Sequence, residues 1–265
     1  MRDSRGSYSQ SLERGLAILS AFADGKSVLG VTELAGIVEL TTSTAQRYVS
    51  TLAKLGYLEQ DGQTRKYRLG PRVVDLGLAA INSMELREIA APYLQQLSDE
   101  TGYTVNMAIL DGPEVVYIER CRTTRAGQRE IDLNLHVGAR LPAYCTSLGK
   151  VLLADLAPDV LRRVLDETDL TQRGPNTLTD RAALIRELGR VKKLGIAINN
   201  EELSYGLRSI AVPVHGRGGE AIAAINLAVH RSMGALSVKD VVSRFGPLLV
   251  RTATRLSAQM GARFE

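Results

Sequence analysis

Residues 31–58 carry the clearest pattern of apolar and polar positions in the chain. Apolar residues at positions 31–38 mark one face of a short helix, and apolar residues at 45–52 recur at the helical period. Ser43, followed three residues later by Gln46, fits a capping box, which predicts that the second helix starts at Ser43. Gly56 is a C-cap signal. The pattern therefore predicts two helices joined by a tight turn.

The polar face of the second helix carries short hydroxyls and cations, and the sequence has no carboxylate from Leu40 to Leu58. A helix-turn-helix places such a face in the DNA major groove. The alternative is a solvated face on an ordinary helical domain. The residues expected to contact DNA from this helix are Thr42, Ser43, Thr44, Gln46, Arg47 and Ser50.

A basic hairpin is predicted directly after the helix pair. Residues 57–59 and 66–69 read as short strands on either side of a turn-rich tip at 61–64. With this hairpin the unit becomes a winged helix-turn-helix. Arg65 and Lys66 are expected to hold the phosphate backbone.

Length and charge support this interpretation. At 265 residues with 45% hydrophobic residues, the chain is long enough for two domains with real cores. Its net charge is +4, and residues 1–72 hold ten Lys/Arg against seven Asp/Glu. The positive excess lies where DNA binding requires it.

Other classes are disfavoured by composition. The two cysteines and three histidines lack metal-ligand or catalytic-triad spacing, so no metal, cofactor or catalytic residue is predicted. No apolar run approaches 18 residues and no signal-peptide pattern is present, so we expect a cytoplasmic protein without a membrane partner.

The N-terminal part is predicted to hold a polar arm at 1–8 and a winged helix-turn-helix at 9–70. Its first helix is marked by Leu12, Leu16, Leu19 and Phe22 and ends at Asp24-Gly25. A linker helix follows at 71–85 and is apolar on two sides, so it needs two partners. It either packs against its symmetry mate in a homodimer or lies between the two domains of one chain.

Residues 86–265 predict an α+β domain with an antiparallel sheet. A helix ends at Thr101-Gly102, and a hairpin turns at Asp111-Gly112-Pro113. Further strands are predicted at 131–136, 208–214 and 221–229, and helices at 147–156, 158–166, 180–194 (capped by Thr179) and 238–260.

Three of these strands alternate bulky aliphatic residues with small or polar ones, which include Asn106, Ser209 and Asn226. Because side chains alternate faces along a strand, the sheet has one bulky face and one small, partly polar face. The small face is either the floor of a ligand pocket or a surface that a helix approaches closely.

An anion site is predicted at the start of the 147–156 helix. Thr146 or Ser147 would cap this helix, and its free N–H groups would face a carboxylate, with Lys150 one turn further on. Arg208 is expected to form an ion pair with Glu201 or Glu202. The cysteines are expected to be small buried residues.

The sequence resembles the IclR family of bacterial transcription regulators over nearly its whole length. Residues 11–70, 141–154 (LPAYCTSLGKVLLA) and 199–214 (NNEELSYGLRSIAVPV) carry the resemblance. The last two segments are most similar to the PcaR/PobR/CatR branch, which controls aromatic-acid catabolism through the β-ketoadipate pathway. The resemblance implies a GAF-like effector domain at 86–265 and dimers that can pair into tetramers.

The family's effector pocket, carried onto this sequence, falls on three segments. The implied residues are Tyr144, Cys145, Thr146, Ser147, Leu148, Asn199, Glu201, Leu207, Ser209, Asn226 and Ala228. Tyr144 is either a ring-stacking residue or a core tyrosine. Because other members carry small or thiol residues at Ser209 and serines near Asn226 and Ala228, the effector's identity does not transfer.

The sequence thus predicts a regulator that binds double-stranded operator DNA and a small organic acid, probably best described as a homodimer or dimer of dimers. Two alternatives are an enzyme built on the same pocket and a DNA-binding protein without a ligand.

Overall fold

The computed structural model describes residues 8–23, 27–82, 85–122, 135–230 and 236–262, without the side chains of 78 and 80–82. The predicted arm at 1–8, the helix end at Asp24-Gly25 and the strand at 131–136 fall wholly or largely outside these residues. The chain divides into two compact units, Met1–Ser83 and Met84–Glu265, and each is described by itself.

The N-terminal unit is a helix-turn-helix followed by a hairpin. Its elements are α1 (Gln10–Ser20), α2 (Val31–Ile37), α3 (Thr42–Lys54), β1 (Leu58–Gln60), β2 (Tyr67–Leu69) and α4 (Pro71–Asn82). Ile18, Leu34, Val49, Leu58 and Tyr67 are all buried in one cluster, so α1, the helix pair and the hairpin share a core.

Two details of this unit differ from the sequence prediction. The capping residue of α3 is Thr41, whose hydroxyl accepts the N–H of Thr44 at 3.3 Å, so the helix does not start from a Ser43 cap. Leu12 and Leu16 are 63% and 55% exposed, whereas Ile18 is fully buried. The inward face of α1 is therefore turned away from the predicted leucine stripe.

The C-terminal unit is built on a six-stranded antiparallel sheet with strand order β5-β4-β3-β8-β7-β6. The strands are β3 (Val105–Asp111), β4 (Glu114–Cys121), β5 (Arg140–Pro142), β6 (Ala197–Asn200), β7 (Leu207–His215) and β8 (Ala221–His230). The helices are α5 (Glu85–Thr101), α6 (Ser147–Asp155), α7 (Pro158–Asp166), α8 (Arg181–Leu194) and α9 (Val238–Gln259).

Most predicted elements of this unit are present, and the fold class is confirmed as mixed α/β with an antiparallel sheet. Gly112 and Gly195 have φ of 57° and 66°, which suits a hairpin turn and a helix end. The cap of α8 is Asp180, which accepts the N–H of Ala183 at 2.7 Å, so the predicted Thr179 cap is wrong. Strands β5 and β6 were not predicted.

The two faces of the sheet are covered by different helices. The bulky face packs under α5 and α9, with Leu94 and Phe245 at the centre of that core. The small-residue face packs under α6 and α8, where Leu148 and Leu184 are fully buried. This division leaves the small face free to form a cavity wherever α6 does not cover it.

Within the described residues, no helix is long and apolar enough to cross a lipid bilayer. The same residues contain no cluster of His, Cys, Asp and Glu side chains with the arrangement of a metal site.

Candidate functional site

The outward face of α3 presents hydroxyl, amide and guanidinium groups to solvent. The side chains of Thr42, Ser43, Gln46, Arg47 and Ser50 are exposed, and Thr44 is half-buried. The Gln46 amide donates to the Ser50 hydroxyl at 3.0 Å, which places two of the predicted DNA-contacting groups side by side. Such a surface can donate and accept hydrogen bonds along a groove edge.

The hairpin tip is held by one carboxylate. Asp61 accepts hydrogen bonds from the N–H groups of Gln63 and Thr64 and from the Thr64 hydroxyl, at 2.7–3.1 Å. The backbone bond from Thr64 is the largest cause of the lowered pKa of Asp61. The tip is thus fixed by an ionised aspartate on its inner side, which directs the following cations outward.

The predicted wing cations differ in their surroundings. Lys66 lies 3.3 Å from Glu33, and Arg68 lies 2.9 Å from Glu59, in exposed salt bridges. Arg65 adopts a left-handed backbone conformation with φ of 58° and is exposed. Exposed pairs of this kind contribute little to stability, so phosphate groups can replace the carboxylates.

In the C-terminal unit, a small cavity lies on the small-residue face of the sheet. Strand register places two rows of residues side by side as its floor. Row one runs from β4 to β7 through Arg120, Asn106, Asn226 and Ala211. Row two runs from the start of β3 to β6 through Thr104, Ala228, Ser209 and Asn199.

Whether the small face forms a pocket or packs against a helix was left open by the sequence, and both occur. Ala108, Ala211 and Ala224 pack in the core beneath α6. Further along the strands, Asn106, Ser209 and Asn226 line the cavity instead. The boundary between the two regions is the N-terminus of α6.

The cavity has a volume of about 30 Å³ and a mixed lining. Its polar groups come from rows one and two, and its apolar groups come from leucines and an alanine. The lining residues are Thr104, Asn106, Tyr117, Arg120, Leu135, Thr146, Asn199, Leu203, Leu207, Ser209, Asn226 and Ala228.

Amide and guanidinium groups on row one are linked to one another. The amide of Asn106 donates to the Asn226 side-chain oxygen at 2.8 Å, and Arg120 donates through Nη1 to the Asn106 oxygen at 3.4 Å. Each donor thereby has a fixed direction. Tyr117 lies at the same end of the cavity, and burial raises the pKa of its phenol.

The helix start at residue 146 adjoins the cavity. Thr146 caps α6 by accepting the N–H of Gly149 at 3.0 Å, as one of the two predicted capping alternatives required. The hydroxyls of Ser147 and Ser209 are 2.7 Å apart. Asn199 donates to the Cys145 carbonyl at 3.0 Å, which ties β6 to this loop.

The structure brings together six of the eleven residues predicted to bind the effector. Thr146, Asn199, Leu207, Ser209, Asn226 and Ala228 line the cavity.

The other five residues lie close by without lining it. Tyr144 is a core tyrosine whose hydroxyl donates to the Thr171 carbonyl at 2.6 Å. Cys145 and Leu148 are fully buried core residues, and Ser147 reaches the cavity only through Ser209. Glu201 lies 3.5 Å from Arg208, so the predicted ion pair of Arg208 is confirmed.

Lys150 does not face the cavity, contrary to the prediction that it would assist anion binding. Its ammonium group is 1% exposed and lies 2.6 Å from Glu202 and 3.5 Å from Glu187. Burial raises the pKa of Glu202, and Lys150 opposes that rise. The charge of Lys150 is therefore taken up by a buried ion pair behind the loop that carries Asn199.

Sequence reasoning missed Tyr117 and Arg120 as lining residues. They are three positions apart on β4 and would face opposite sides of a regular strand. The register shifts between Met107 and Ala108, so that Ala108 pairs with Tyr117 while Asn106 pairs with Arg120. This bulge turns both side chains toward the cavity.

Comparison with known proteins identifies both units. Residues 11–62 match the IclR helix-turn-helix domain, and residues 78–258 match the family described as bacterial transcriptional regulator IclR C-terminal. The Pca regulon regulatory protein of Pseudomonas putida is 38% identical over 96% of this chain and 84% of its own length.

Solved structures agree with these matches. A transcriptional regulator from Rhodococcus sp. RHA1 is 35% identical, covers 96% of this chain and 98% of its own, and has a TM-score of 0.77. An IclR homologue from Microbacterium hydrocarbonoxydans, complexed with 4-hydroxybenzoate, is 27% identical over 95% of this chain and 99% of its own, with a TM-score of 0.76.

The relatives named here are regulators, which confirms the prediction that the chain is not an enzyme. Together the two family matches cover the helix-turn-helix and nearly all of the C-terminal unit. The chain belongs to the IclR family of bacterial transcriptional regulators.

Proposed function

We propose that this regulator binds operator DNA through α3 and the wing and responds to a small organic acid bound in the cavity. In this proposal, residues 9–70 form the DNA-binding domain, 71–85 the linker and 86–265 the effector domain. The observation that carries the proposal is the polar floor of rows one and two, which lies in a cavity walled by leucines.

For DNA, the proposed contacts centre on Arg47. Its side chain is exposed on α3 between Gln46 and Ser50, where a groove edge would meet it. We expect Arg47→Ala to weaken binding to the operator by about 1–3 kcal/mol, because one direct contact is lost. A gel-shift titration with DNA flanking the gene measures this loss.

The matched control is Arg190→Ala, which removes an exposed arginine from the C-terminal unit. If Arg47→Ala binds as tightly as this control, Arg47 does not contact DNA. The proposed role of Arg65 and Lys66 is tested in the same way, by a smaller dependence of binding on salt in their alanine variants.

The proposed assembly is a homodimer that can pair into a dimer of dimers. Val74 and Leu76 on α4 are 60% and 57% exposed, which leaves apolar surface on the predicted linker. Burial of such surface favours association. Sedimentation of wild type and Val74→Glu/Leu76→Glu tests the idea, since a linker interface predicts a smaller species for the variant.

For the effector, the proposed class is an aromatic acid used in catabolism. The similarity to the Pca regulon regulator and to a homologue complexed with 4-hydroxybenzoate supports this choice. A ring acid is larger than a 30 Å³ cavity, which is close to the volume per molecule of liquid water. Its binding therefore requires Leu135 and Leu203 to move outward.

A thermal-shift screen against protocatechuate, 4-hydroxybenzoate, cis,cis-muconate and β-ketoadipate tests the proposal. A ligand that binds the folded state raises the melting temperature by mass action. The shift should disappear in Ser209→Leu and Asn226→Leu, which fill the floor, and persist in Ser243→Leu on exposed α9. No shift with any acid refutes the aromatic assignment.

The cavity volume favours a second candidate, an acid of two or three carbons. Such an acid fits with little displacement of the leucines. The same screen separates the candidates when acetate and propionate are added to it, because only the short acids would then raise the melting temperature.

A further inference from the structure

Arg120 is the one charged side chain among the described residues that line the cavity. It lies at the β4 end of row one, and the rest of the lining consists of amides, hydroxyls and apolar groups. A single positive charge beside neutral polar groups favours a ligand with one negative charge, because an ion in a low-dielectric site needs a partner of opposite charge.

Neighbouring acids are occupied elsewhere. Glu119 follows the opposite face of the strand and pairs with Arg87 at 2.9 Å. Glu202 pairs with Lys150 at 2.6 Å behind the cavity wall. The positive charge of Arg120 is thus not offset by a carboxylate among the described lining residues.

Row one also fixes the orientation of Arg120. Asn106 accepts from Nη1 of Arg120 with its side-chain oxygen, and donates to Asn226 with its amide. An arginine has five N–H groups in a planar fork, so it can bind both oxygens of a carboxylate and still donate to an amide. The amide chain acts as a brace that sets the plane of the fork.

The opposite end of the floor is neutral. Ser209 on β7 lies three strands from β4, which corresponds to about 14 Å between the two backbones at the usual strand spacing. Arg120 extends inward from one side of this span and the Ser209 hydroxyl from the other. A small acid bridging them would present its carboxylate to Arg120 and a neutral polar or apolar end to Ser209.

We propose that Arg120 binds the carboxylate of the effector, and that the cavity accordingly selects monocarboxylates over dicarboxylates. This inference rests on the proposed function, because it assigns the ligand class of the same cavity. A second carboxylate would lie against amides, hydroxyls and leucines without a cation, and its desolvation would be uncompensated.

Calorimetric titration with acids and their neutral amides tests the contact directly. The pairs are 4-hydroxybenzoate with 4-hydroxybenzamide, benzoate with benzamide, and propionate with propionamide. For at least one pair, wild type should bind the acid at least about tenfold more tightly than the amide. Arg120→Gln should weaken binding of that acid by about 10- to 100-fold and leave the amide unchanged.

Arg251→Gln is the control, because Arg251 lies on α9 on the other face of the sheet and is exposed. It should keep the wild-type preference for the acid. Arg120→Lys keeps the charge without the planar fork and should retain part of the preference. Circular dichroism verifies that each variant is folded, and Arg120→Lys decides the matter if Arg120→Gln is not.

The outcomes separate the inference from the proposed function. If an acid binds wild type and Arg120→Gln keeps the full preference for acid over amide, the role of Arg120 is wrong while the effector cavity stands. Tighter binding of cis,cis-muconate than of every monocarboxylate would also overturn the inference. If no acid binds wild type, the proposed effector function fails with it.

Discussion

Replacing Lys150 with methionine should destabilise the C-terminal unit by about 3–5 kcal/mol, because it leaves a buried carboxylate without its cation. Lys150 is 1% exposed and its ammonium lies 2.6 Å from Glu202. The second oxygen of Glu202 has no hydrogen-bond partner among the described residues. Methionine has nearly the length of lysine, so the loss reports charge rather than volume.

Glu202→Gln should cost less, about 1–3 kcal/mol, since Lys150 keeps Glu187 at 3.5 Å. The double variant Lys150→Met/Glu202→Leu removes both charges and should be more stable than Lys150→Met alone. This order of stabilities distinguishes a stranded charge from a packing defect, because a packing defect would make the double variant the least stable.

The cost of Lys150→Met should also depend on pH. Burial raises the folded-state pKa of Glu202 above its usual 4.5, and Lys150 limits that rise. The folded state therefore holds the proton more tightly than the unfolded state, and stability is lost as pH rises through the raised pKa. Without Lys150 the rise is larger, so the variant's deficit should be greatest at pH 7.5 and shrink at pH 5.

Urea unfolding followed by far-ultraviolet circular dichroism measures these differences, with hydrogen exchange of α6 amides reporting the C-terminal unit specifically. A cost below about 1 kcal/mol at pH 7.5, or a cost that does not shrink at pH 5, would refute the reasoning.

Three further predictions concern packing, capping and thiol reactivity. Gly149→Ala should destabilise strongly, because a Cβ there would lie 2.2 Å from a backbone oxygen, whereas Gly189→Ala meets nothing within 4 Å and should stabilise α8 by about 0.5–1 kcal/mol in thermal unfolding. Thr41→Ala should cost about 1 kcal/mol and Ser43→Ala only a few tenths, since the Thr41 hydroxyl caps α3; equal costs would contradict that assignment. Burial raises the pKa of Cys145 to about 12, so its thiol should resist iodoacetamide at pH 8 in the native protein and react once urea unfolds it, as peptide mapping would show.

Periodicity predicted the helices well, because each long element repeats its apolar positions often enough to identify a buried face. It could not choose among adjacent hydroxyl residues for a cap. Thr41, Thr42 and Ser43 are chemically similar, and the backbone geometry at the turn selects Thr41. The exposed leucines of α1 failed for a related reason, since the sequence does not say which side of a short helix meets the core.

The cavity was predictable in part. Alternation along three strands placed Asn106, Ser209 and Asn226 on one face, and the structure shows that all three line it. The place where α6 stops covering that face depends on tertiary packing and is not written in strand periodicity. Arg120 was missed because a bulge interrupts the alternation of β4, and a bulge leaves no clear mark in one sequence.

The pairing of Asn106 with Asn226 also determines when the cavity can exist during synthesis. The two residues are 120 positions apart, and β3 meets β8 only after the intervening chain has been made. The β3–β4 and β7–β8 hairpins can form from local contacts, but their junction closes a long loop and comes later. An effector therefore finds no floor to bind on a nascent chain until β8 has emerged from the ribosome, and it can stabilise only chains that have completed the sheet.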